Sequence, residues 1–190
     1  MATFGALPAA AAWHHQGARA GFEVAFFERL DDVIRVTGET TAVEEGEPWW
    51  VGYEIELDED WTTRHAIVRG RSSSGARETR LESDGAGAWR VDGGPAPQLD
   101  GCRDLDLESS SLTNAFPVHR LPLEPGVPTQ APAAYVRALD LRAERLEQTY
   151  VDLGDRRFDY TSPQFDFRCE LIYDDAGLVL SYPAIATRAF

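Results

Sequence analysis

Apolar and polar residues alternate along much of the chain with a period of two. Between Val51 and Asp58 the odd positions are apolar and most even positions are acidic, and a similar alternation runs from Phe165 to Tyr173. This period is typical of strands that bury one face and expose the other. Gly-, Asp- and Pro-rich turn sequences recur at strand-length intervals, and no shift in composition divides the chain. We therefore predict a single, mainly β domain with a largely antiparallel sheet.

Helical patterns are few, and the clearest covers residues 112–121. Thr113 or Asn114 can cap its N-terminus, and Pro117 lies early enough to be tolerated in a first turn. Val118 and Leu121 then share one helical face. We predict one short helix in this segment.

Charge and cysteine content narrow the class of protein. The 190 residues carry a net charge of −14, and all 18 basic residues are arginines. Such a chain repels nucleic acids and anionic lipid headgroups at long range, so we expect no nucleic-acid partner. No apolar run is long enough to span a membrane, and the apolar start lacks the basic residues of a secretory signal. We expect a cytoplasmic protein in which Cys102 and Cys169 are unpaired.

The common catalytic and metal-binding motifs are missing from the sequence. The four histidines and two cysteines form no HxH, HExxH or CxxC arrangement, so we predict no metal site and no cofactor. The sequence also lacks a GxSxG elbow, a P-loop and a GxGxxG fingerprint. Serine hydrolases, P-loop NTPases and Rossmann enzymes are therefore not the first interpretations.

The segment 99–107 contains the most distinctive chemistry. In a strand, Asp104 and Asp106 would share one face about 6.5–7 Å apart. Two carboxylates so placed could act as general acid and general base of a hydrolase, with His119 as a proton shuttle. Alternatively, Leu105 and Leu107 point into the core while the aspartates face water or arginines. The residues themselves leave both interpretations open.

Aromatic residues make up 11% of the chain. Trp49, Trp50, Trp61 and Trp89 lie beside turns or at strand ends, where aromatic rings can stack on sugars or line a lipid pocket. The same side chains can simply close the ends of a β core. The sequence does not decide between these roles.

The run from Trp89 to Leu123 resembles the bacterial family described as Putative glycolipid-binding. The matching positions of this run are Gly101, Cys102, Asp104, Asp106, Leu107, Thr113, Asn114, Pro117, Arg120 and Leu121. Segments 60–64, 148–150, 158–160 and 177–183 also occur in the order that the family shows. The resemblance covers residue 13 to the C-terminus, so we expect a β-roll domain over 13–190 and an N-terminal extension over 1–12.

Four positions, in three segments, depart from the family pattern. The family usually has Thr-Pro at Ser110-Ser111, Arg at His119 and Gly at Ala184. A site that grips an anion with two adjacent arginines would be weakened here, because His119 precedes Arg120.

The resemblance implies a spiral β-roll, in which a long antiparallel sheet curls around one helix, and it implies a homodimer. The shape is similar to that of carriers and receptors of outer-membrane lipoproteins. The implied function is non-catalytic binding of an amphipathic ligand such as a glycolipid inside the roll. The residues expected at its polar head are Arg64, Asp104, Asp106, Asn114 and Arg120.

Two alternatives to binding stay open. One is a hydrolase that uses Asp104 and Asp106, and the other is a purely structural polar motif in a packed roll. In either the binding or the structural interpretation, we expect Asp104 or Asp106 to pair with Arg64 or Arg120, because a buried carboxylate needs a partner.

Overall fold

The computed structural model describes residues 4–17 and 19–190, and β-strands make up 58% of it. The first half contains β1 (Ala10–His15), β2 (Arg19–Leu30), β3 (Val33–Glu44), β4 (Glu47–Asp58), β5 (Thr63–Ser72), β6 (Gly75–Ser83), β7 (Trp89–Val91), β8 (Gly94–Pro95) and β9 (Asp104–Leu107). The second half contains β10 (Thr129–Gln130), β11 (Ala133–Val136), β12 (Ala143–Leu146), β13 (Thr149–Gly154), β14 (Arg157–Ser162), β15 (Phe167–Tyr173), β16 (Val179–Tyr182) and β17 (Ala186–Arg188). Strand β1 begins at Ala10, inside the segment 1–12 that was expected to be an extension, and residues 1–3 lie outside the described part.

A single α-helix, α1 (Ala115–Arg120), occurs among the described residues, and a 3-10 turn, Leu112–Asn114, leads into it. Together they occupy the segment for which a helix was predicted. Pro117 is the third residue of α1, where its missing N–H removes no hydrogen bond of the helix. The helix ends when Leu121 turns to an extended conformation.

Fourteen strands form one antiparallel sheet in the order β10-β13-β14-β15-β16-β17-β1-β2-β3-β4-β5-β6-β7-β8. Strand β1 joins two arms of this sheet, because it pairs with β2 on one side and with β17 on the other. The first arm is β2–β8, and the second arm consists of β10 and β13–β17. A separate sheet of three strands, β12-β11-β9, is called the inner sheet here because β9 and β11 are fully buried, whereas β12 is partly exposed. Strand β9 is parallel to β11, and β12 is antiparallel to it. The single-domain antiparallel β-roll is therefore confirmed.

Tight turns hold the long strands of the first arm in register. Strands β3 and β4 pair without a bulge over their full length, and only Glu45 and Gly46 connect them. Both residues have positive φ, the pattern of a type I′ turn, whose twist matches that of the strands. Asp92 and Gly93 connect β7 and β8 in the same way.

The inner sheet separates two hydrophobic clusters. Leu105 and Leu107 of β9 belong to the cluster formed with β1–β6, whereas Asp104 and Asp106 lie on the opposite face of the strand. All four residues of β9 are buried because sheet layers cover both faces. The second cluster is rich in tyrosine and contains Tyr150, Tyr160, Tyr173 and Tyr182.

The alternating patterns lie where the sequence predicted strands. In β4 the odd positions from Val51 to Leu57 are fully buried. In β15 Leu171 and Tyr173 are buried, but Phe165 precedes the strand in a 3-10 turn and is 49% exposed.

Both cysteines are free thiols, as predicted. Burial raises the pKa of Cys102 to about 11, so its thiol stays protonated at neutral pH. Across residues 4–17 and 19–190, no helix reaches the length and apolar character needed to cross a lipid bilayer.

Candidate functional site

The Asp60–Arg64 motif anchors β9 through its threonines. The Thr63 hydroxyl accepts a hydrogen bond from the backbone N–H of Leu105 at 3.0 Å, and Arg103 donates to the Thr62 hydroxyl at 3.2 Å. Arg64 instead points away, with its guanidinium 3.9 Å from Asp58 and its side chain 45% exposed. The expectation that Arg64 joins the buried polar cluster is therefore wrong, since its outward strand position faces solvent.

Asp104 forms a buried, two-pronged ion pair with Arg120. The Nε and Nη2 atoms of Arg120 donate to the two carboxylate oxygens of Asp104 at 2.7 and 2.6 Å. The pair ties β9 to the last turn of α1, and the Asp104 side chain is completely buried. Burial raises the pKa of Asp104, while Arg120 acts in the opposite direction. The predicted pairing of a motif aspartate with Arg120 is confirmed.

Asp106, two residues further along β9, has no such cation. Its Oδ1 accepts a hydrogen bond from the Thr113 hydroxyl at 2.8 Å, and no described residue donates to its other oxygen. Burial, followed by the charges of Asp104 and Glu108, raises the pKa of Asp106 to about 6, although the Thr113 bond opposes this. Asp106 is therefore a buried carboxyl group with spare hydrogen-bonding capacity.

Asn114 joins the helix to the second arm of the sheet. Its Oδ1 accepts a hydrogen bond from the Tyr150 hydroxyl at 3.0 Å, and its backbone carbonyl accepts one from Tyr173 at 3.0 Å. Asn114 precedes α1, but its side chain caps no helical N–H group. The predicted capping role is thus replaced by a contact with tyrosine, which leaves the amide nitrogen beside the cavity described next.

A cavity of about 190 Å³ lies between the inner sheet and strands β14–β16. Asp106, Asn114, Ser110 and Ser162 supply polar atoms to its walls. The aromatic side chains that line it are Tyr135, Tyr160, Phe165, Phe167 and Tyr182. Its walls are thus mostly apolar with a few polar groups, the usual character of a small-molecule site.

Arg19 lies at the edge of this cavity with its charge already engaged. Its guanidinium donates to the backbone carbonyl of Glu108, lies 3.5 Å from Glu44 and stands 5.4 Å from the centre of the Trp49 ring. The carboxylate of Asp106 receives no hydrogen bond from it. Arg19 therefore fixes the loop after β9 and leaves Asp106 without a cation.

Glu23 is a buried acid that sequence analysis did not single out. It accepts hydrogen bonds from the Tyr53 hydroxyl at 2.8 Å and the Ser111 backbone N–H at 2.8 Å, and the Ser110 hydroxyl also donates to it. Burial raises its pKa to about 7, and these hydrogen bonds limit the rise. Glu23 thereby fastens the segment between β9 and α1 to the inner face of β2. No sequence motif marks it, because an acid in an alternating strand normally faces water.

His119 lies away from the two aspartates of the proposed acid–base pair. Its ring stacks on Trp61 with centroids 3.6 Å apart, and Phe4 packs against it at 4.5 Å. Burial lowers the pKa of His119 to about 4, so the imidazole is neutral. It lines a different groove, of about 720 Å³, near the start of β3. The proton-shuttle interpretation therefore has no geometric basis here.

The tryptophans that drew attention in the sequence do not line the cavity. Trp49, Trp61 and Trp89 are buried in the first hydrophobic cluster. The cavity instead takes its rings from tyrosine and phenylalanine, among them Tyr160 and Tyr182. Both tyrosines lie in segments that carried the family resemblance, 158–160 and 177–183, which was the available signal for them.

The described residues contain no cluster of three or more His, Cys, Asp and Glu side chains arranged to bind a metal ion. The residues of the cavity itself can hold a small polar group. Asp106 accepts hydrogen bonds, the Asn114 amide donates them, and the rings contact apolar faces.

Fold and site together define a β-roll protein with an acidic, aromatic cavity beside an inner sheet. The family described as Putative glycolipid-binding matches residues 10–188, and the chain belongs to this family. A crystal structure of a DUF1089 family protein from Pseudomonas aeruginosa is similar over 99% of this chain and 98% of that one, with 30% identity and a TM-score of 0.77. No curated protein matches the chain in sequence.

Proposed function

We propose that this protein is a non-catalytic binder of an amphipathic ligand whose polar headgroup enters the cavity beside Asp106 and Asn114. The observation that carries the proposal is the free carboxylate oxygen of Asp106 in a cavity lined by five aromatic rings. Hydroxyl groups of a sugar-like headgroup would donate to Asp106 and accept from Asn114, and its apolar face would lie on a ring. The family description, which names glycolipids, agrees with such a ligand.

The size of the cavity limits what enters it. A volume of 190 Å³ corresponds to about six water molecules and is below the roughly 300–1,000 Å³ of typical drug-sized pockets. One ring-sized headgroup fits, whereas a whole acyl chain does not. The apolar tail would lie across the rim, where Phe165 is 49% exposed and Ile185 also borders the opening.

Asp104 is poorly suited to the hydrolase alternative. Both of its carboxylate oxygens are bound to Arg120, and it does not line the cavity. A two-carboxylate mechanism needs both groups at the scissile bond. Of the two aspartates in that mechanism, only Asp106 borders the cavity, so this geometry favours binding over that hydrolase.

We further propose that the protein is a homodimer in the cytoplasm. The outer face of the first arm supports an interface, because Phe22 is 39% and Phe26 is 52% exposed there, with the partly exposed Trp50 nearby. The two free thiols are consistent with a reducing compartment. Light scattering coupled to gel filtration, on the wild type and on Phe26→Ser, tests the dimer. A monomeric wild-type protein would rule out the proposed dimer.

The binding proposal is tested by filling the cavity. In Ser162→Leu a larger side chain projects from β14 into the space, whereas Thr161→Leu adds the same side chain on the opposite face of the strand. Isothermal titration with octyl glucoside below its micellar concentration should show binding to the wild type and to Thr161→Leu. We expect Ser162→Leu to lose it.

Melting curves establish that both variants are folded. Equal affinity of the folded Ser162→Leu variant would place the ligand elsewhere. No binding of any amphiphile to the wild type would remove the proposed function.

A further inference from the structure

The charge balance around the cavity is incomplete. Asp106 is only 7% exposed, yet its one hydrogen bond within the described residues comes from the neutral hydroxyl of Thr113. The two charged groups that act on its pKa, Asp104 and Glu108, are both acidic. A buried carboxylate without a cation is unfavourable unless it becomes protonated or receives a positive partner. On the same strand, Asp104 already has such a partner in Arg120.

The cation closest to the cavity does not supply this partner. Arg19 is held by Glu108, Glu44 and the Trp49 ring, and only 10% of its side chain is exposed. Moving it to Asp106 would break all three contacts. The missing positive charge is therefore more easily supplied by a ligand than by a rearrangement of the chain.

The walls of the cavity suit a cation as well. The ring centroids of Tyr160, Phe167 and Tyr182 lie 5.9–6.3 Å from one another, with interplanar angles of 59–78°. Tyr135 and Phe165 form a further pair at 5.5 Å. All five rings line the cavity, and aromatic π surfaces attract ammonium groups. Cages of aromatic rings are a recognised arrangement for binding quaternary ammonium groups.

We propose that the headgroup bound in this cavity carries an ammonium group, which pairs with Asp106 and contacts the rings of Tyr160, Phe167 and Tyr182. This inference rests on the proposed function and specifies the chemistry of its ligand. A trimethylammonium group or the amine of an amino sugar is small enough for the 190 Å³ that the cavity offers. A neutral headgroup would leave the charge of Asp106 uncompensated.

The test compares amphiphiles that share an octyl tail and differ in the headgroup. Octyltrimethylammonium and the octyl glycoside of glucosamine carry a positive charge, whereas octyl glucoside is neutral. Titration calorimetry at pH 7.5 should give affinities about ten- to a hundredfold higher for at least one cationic probe than for the neutral probe. The two cationic arms distinguish a quaternary ammonium from an amino-sugar headgroup.

Asp106→Asn isolates the charge, because asparagine keeps the shape and can still accept the Thr113 hydrogen bond. We expect the variant to bind the cationic probe no more tightly than octyl glucoside. We expect it to bind octyl glucoside less than about tenfold more weakly than the wild type does, because only a hydroxyl hydrogen bond to the free oxygen is lost. Asp32→Asn removes the same charge from an exposed turn and serves as the control. It should leave the tenfold or larger preference intact, which excludes a general effect of the chain's net charge of −14.

Three outcomes are informative. A preference for the cation that Asp106→Asn removes and Asp32→Asn retains supports the inference. Equal binding of all three probes, abolished by Ser162→Leu, overturns the inference but leaves the binding function in place. If none of the probes binds the wild type, both the inference and the proposed function fail.

Discussion

The inner sheet has two faces that meet interiors of different chemistry. Leu105 and Leu107 pack into a cluster of aliphatic side chains and tryptophans, which the long strands β2–β6 cover. On the other face, Asp104 pairs with Arg120, and Asp106 lies beside a tyrosine-rich cluster that leaves a cavity open. One strand of four residues thus supplies both a packed core and a polar site.

This difference shows how the fold can contain a site without losing its core. Successive side chains of a strand point to opposite faces, so β9 can bury leucines on one side and acids on the other. The aliphatic side provides close packing. The tyrosine side provides hydroxyls for hydrogen bonds, as in the contacts of Tyr150 and Tyr173 with Asn114. Stability and binding are therefore assigned to different faces of one sheet.

The largest difference in stability should be between removing the partner of Asp104 and removing the charge of Asp106. Arg120→Met leaves Asp104 buried without its cation, so we expect the free energy of unfolding to fall by about 3–5 kcal/mol. Asp106→Asn removes a charge that has no cationic partner, so we expect a change below about 1 kcal/mol. Urea denaturation measures both. Similar losses in the two variants would show that Asp106 is as deeply involved in the fold as Asp104.

The packed and open sides can also be compared by truncation. Leu105→Ala removes a completely buried side chain and should cost about 2–5 kcal/mol. Phe165→Ala, on the half-exposed rim of the cavity, should cost only about 1–2 kcal/mol, because about half of its ring already contacts water. Denaturant unfolding of both variants measures the two losses in the free energy of unfolding. A larger loss for Phe165 would reverse the assignment of the two faces.

A smaller effect is the pH dependence of stability that the buried Glu23 contributes. Burial raises the pKa of Glu23 in the folded protein to about 7 from an ordinary value near 4.5, so the folded state binds this proton more tightly than the unfolded state. Stability from this group is then lost as pH rises through that range. Glu23→Gln cannot ionise, so its melting temperature relative to the wild type should increase between pH 5 and pH 7.5. A constant difference would mean that Glu23 titrates in its ordinary range.

The histidines require a control for this slope. Burial lowers the pKa of both His15 and His119 to about 4, so their contribution changes in the opposite direction, with stability lost as pH falls below about 6.5. Both histidines are retained in Glu23→Gln and cancel when the variant is compared with the wild type at each pH. The difference between the two proteins therefore reports Glu23.

The smallest effect should come from the turn between β16 and β17. Ala184 has a φ of 62°, in the left-handed region where a Cβ is unfavourable. Ala184→Gly should stabilise the protein by about 0.5–1 kcal/mol, after the greater flexibility of unfolded glycine is counted. Its neighbours Tyr182 and Ile185 line the cavity, so the change lies next to the open side. Thermal melting measures the gain in stability. A lower melting temperature of Ala184→Gly would show that the backbone at Ala184 is not strained.

Much of the β architecture could be predicted from residue patterns. The alternation from Val51 to Leu57 specified a half-buried strand, because a one-residue shift would turn every apolar side chain to water. The helical segment could be placed from Pro117 and its flanking residues. The curl of the sheet came from the family resemblance, since alternation describes each strand but not how fourteen of them bend.

The site was predictable only in part. The aspartates of β9, Asn114 and Arg120 were recognised from a short motif, and Asp104 does pair with Arg120. Which aspartate would receive the arginine could not be read from the motif, because both occupy the same strand face. Arg64 was misplaced, since its motif acts through Thr62 and Thr63 instead.

The sequence by itself determined the local structure: strand faces, tight turns, the short helix and the acidic, lysine-free surface. These follow from side-chain periodicity, turn chemistry and charge, which act between near neighbours. Only the tertiary structure decided that Tyr160 and Tyr182, more than 50 residues from Asp106, would surround it, and that Glu23 would be buried. Such contacts depend on how the sheet curls around the inner strands. That curl arises from the packing of many distant side chains at once, and no short segment specifies it.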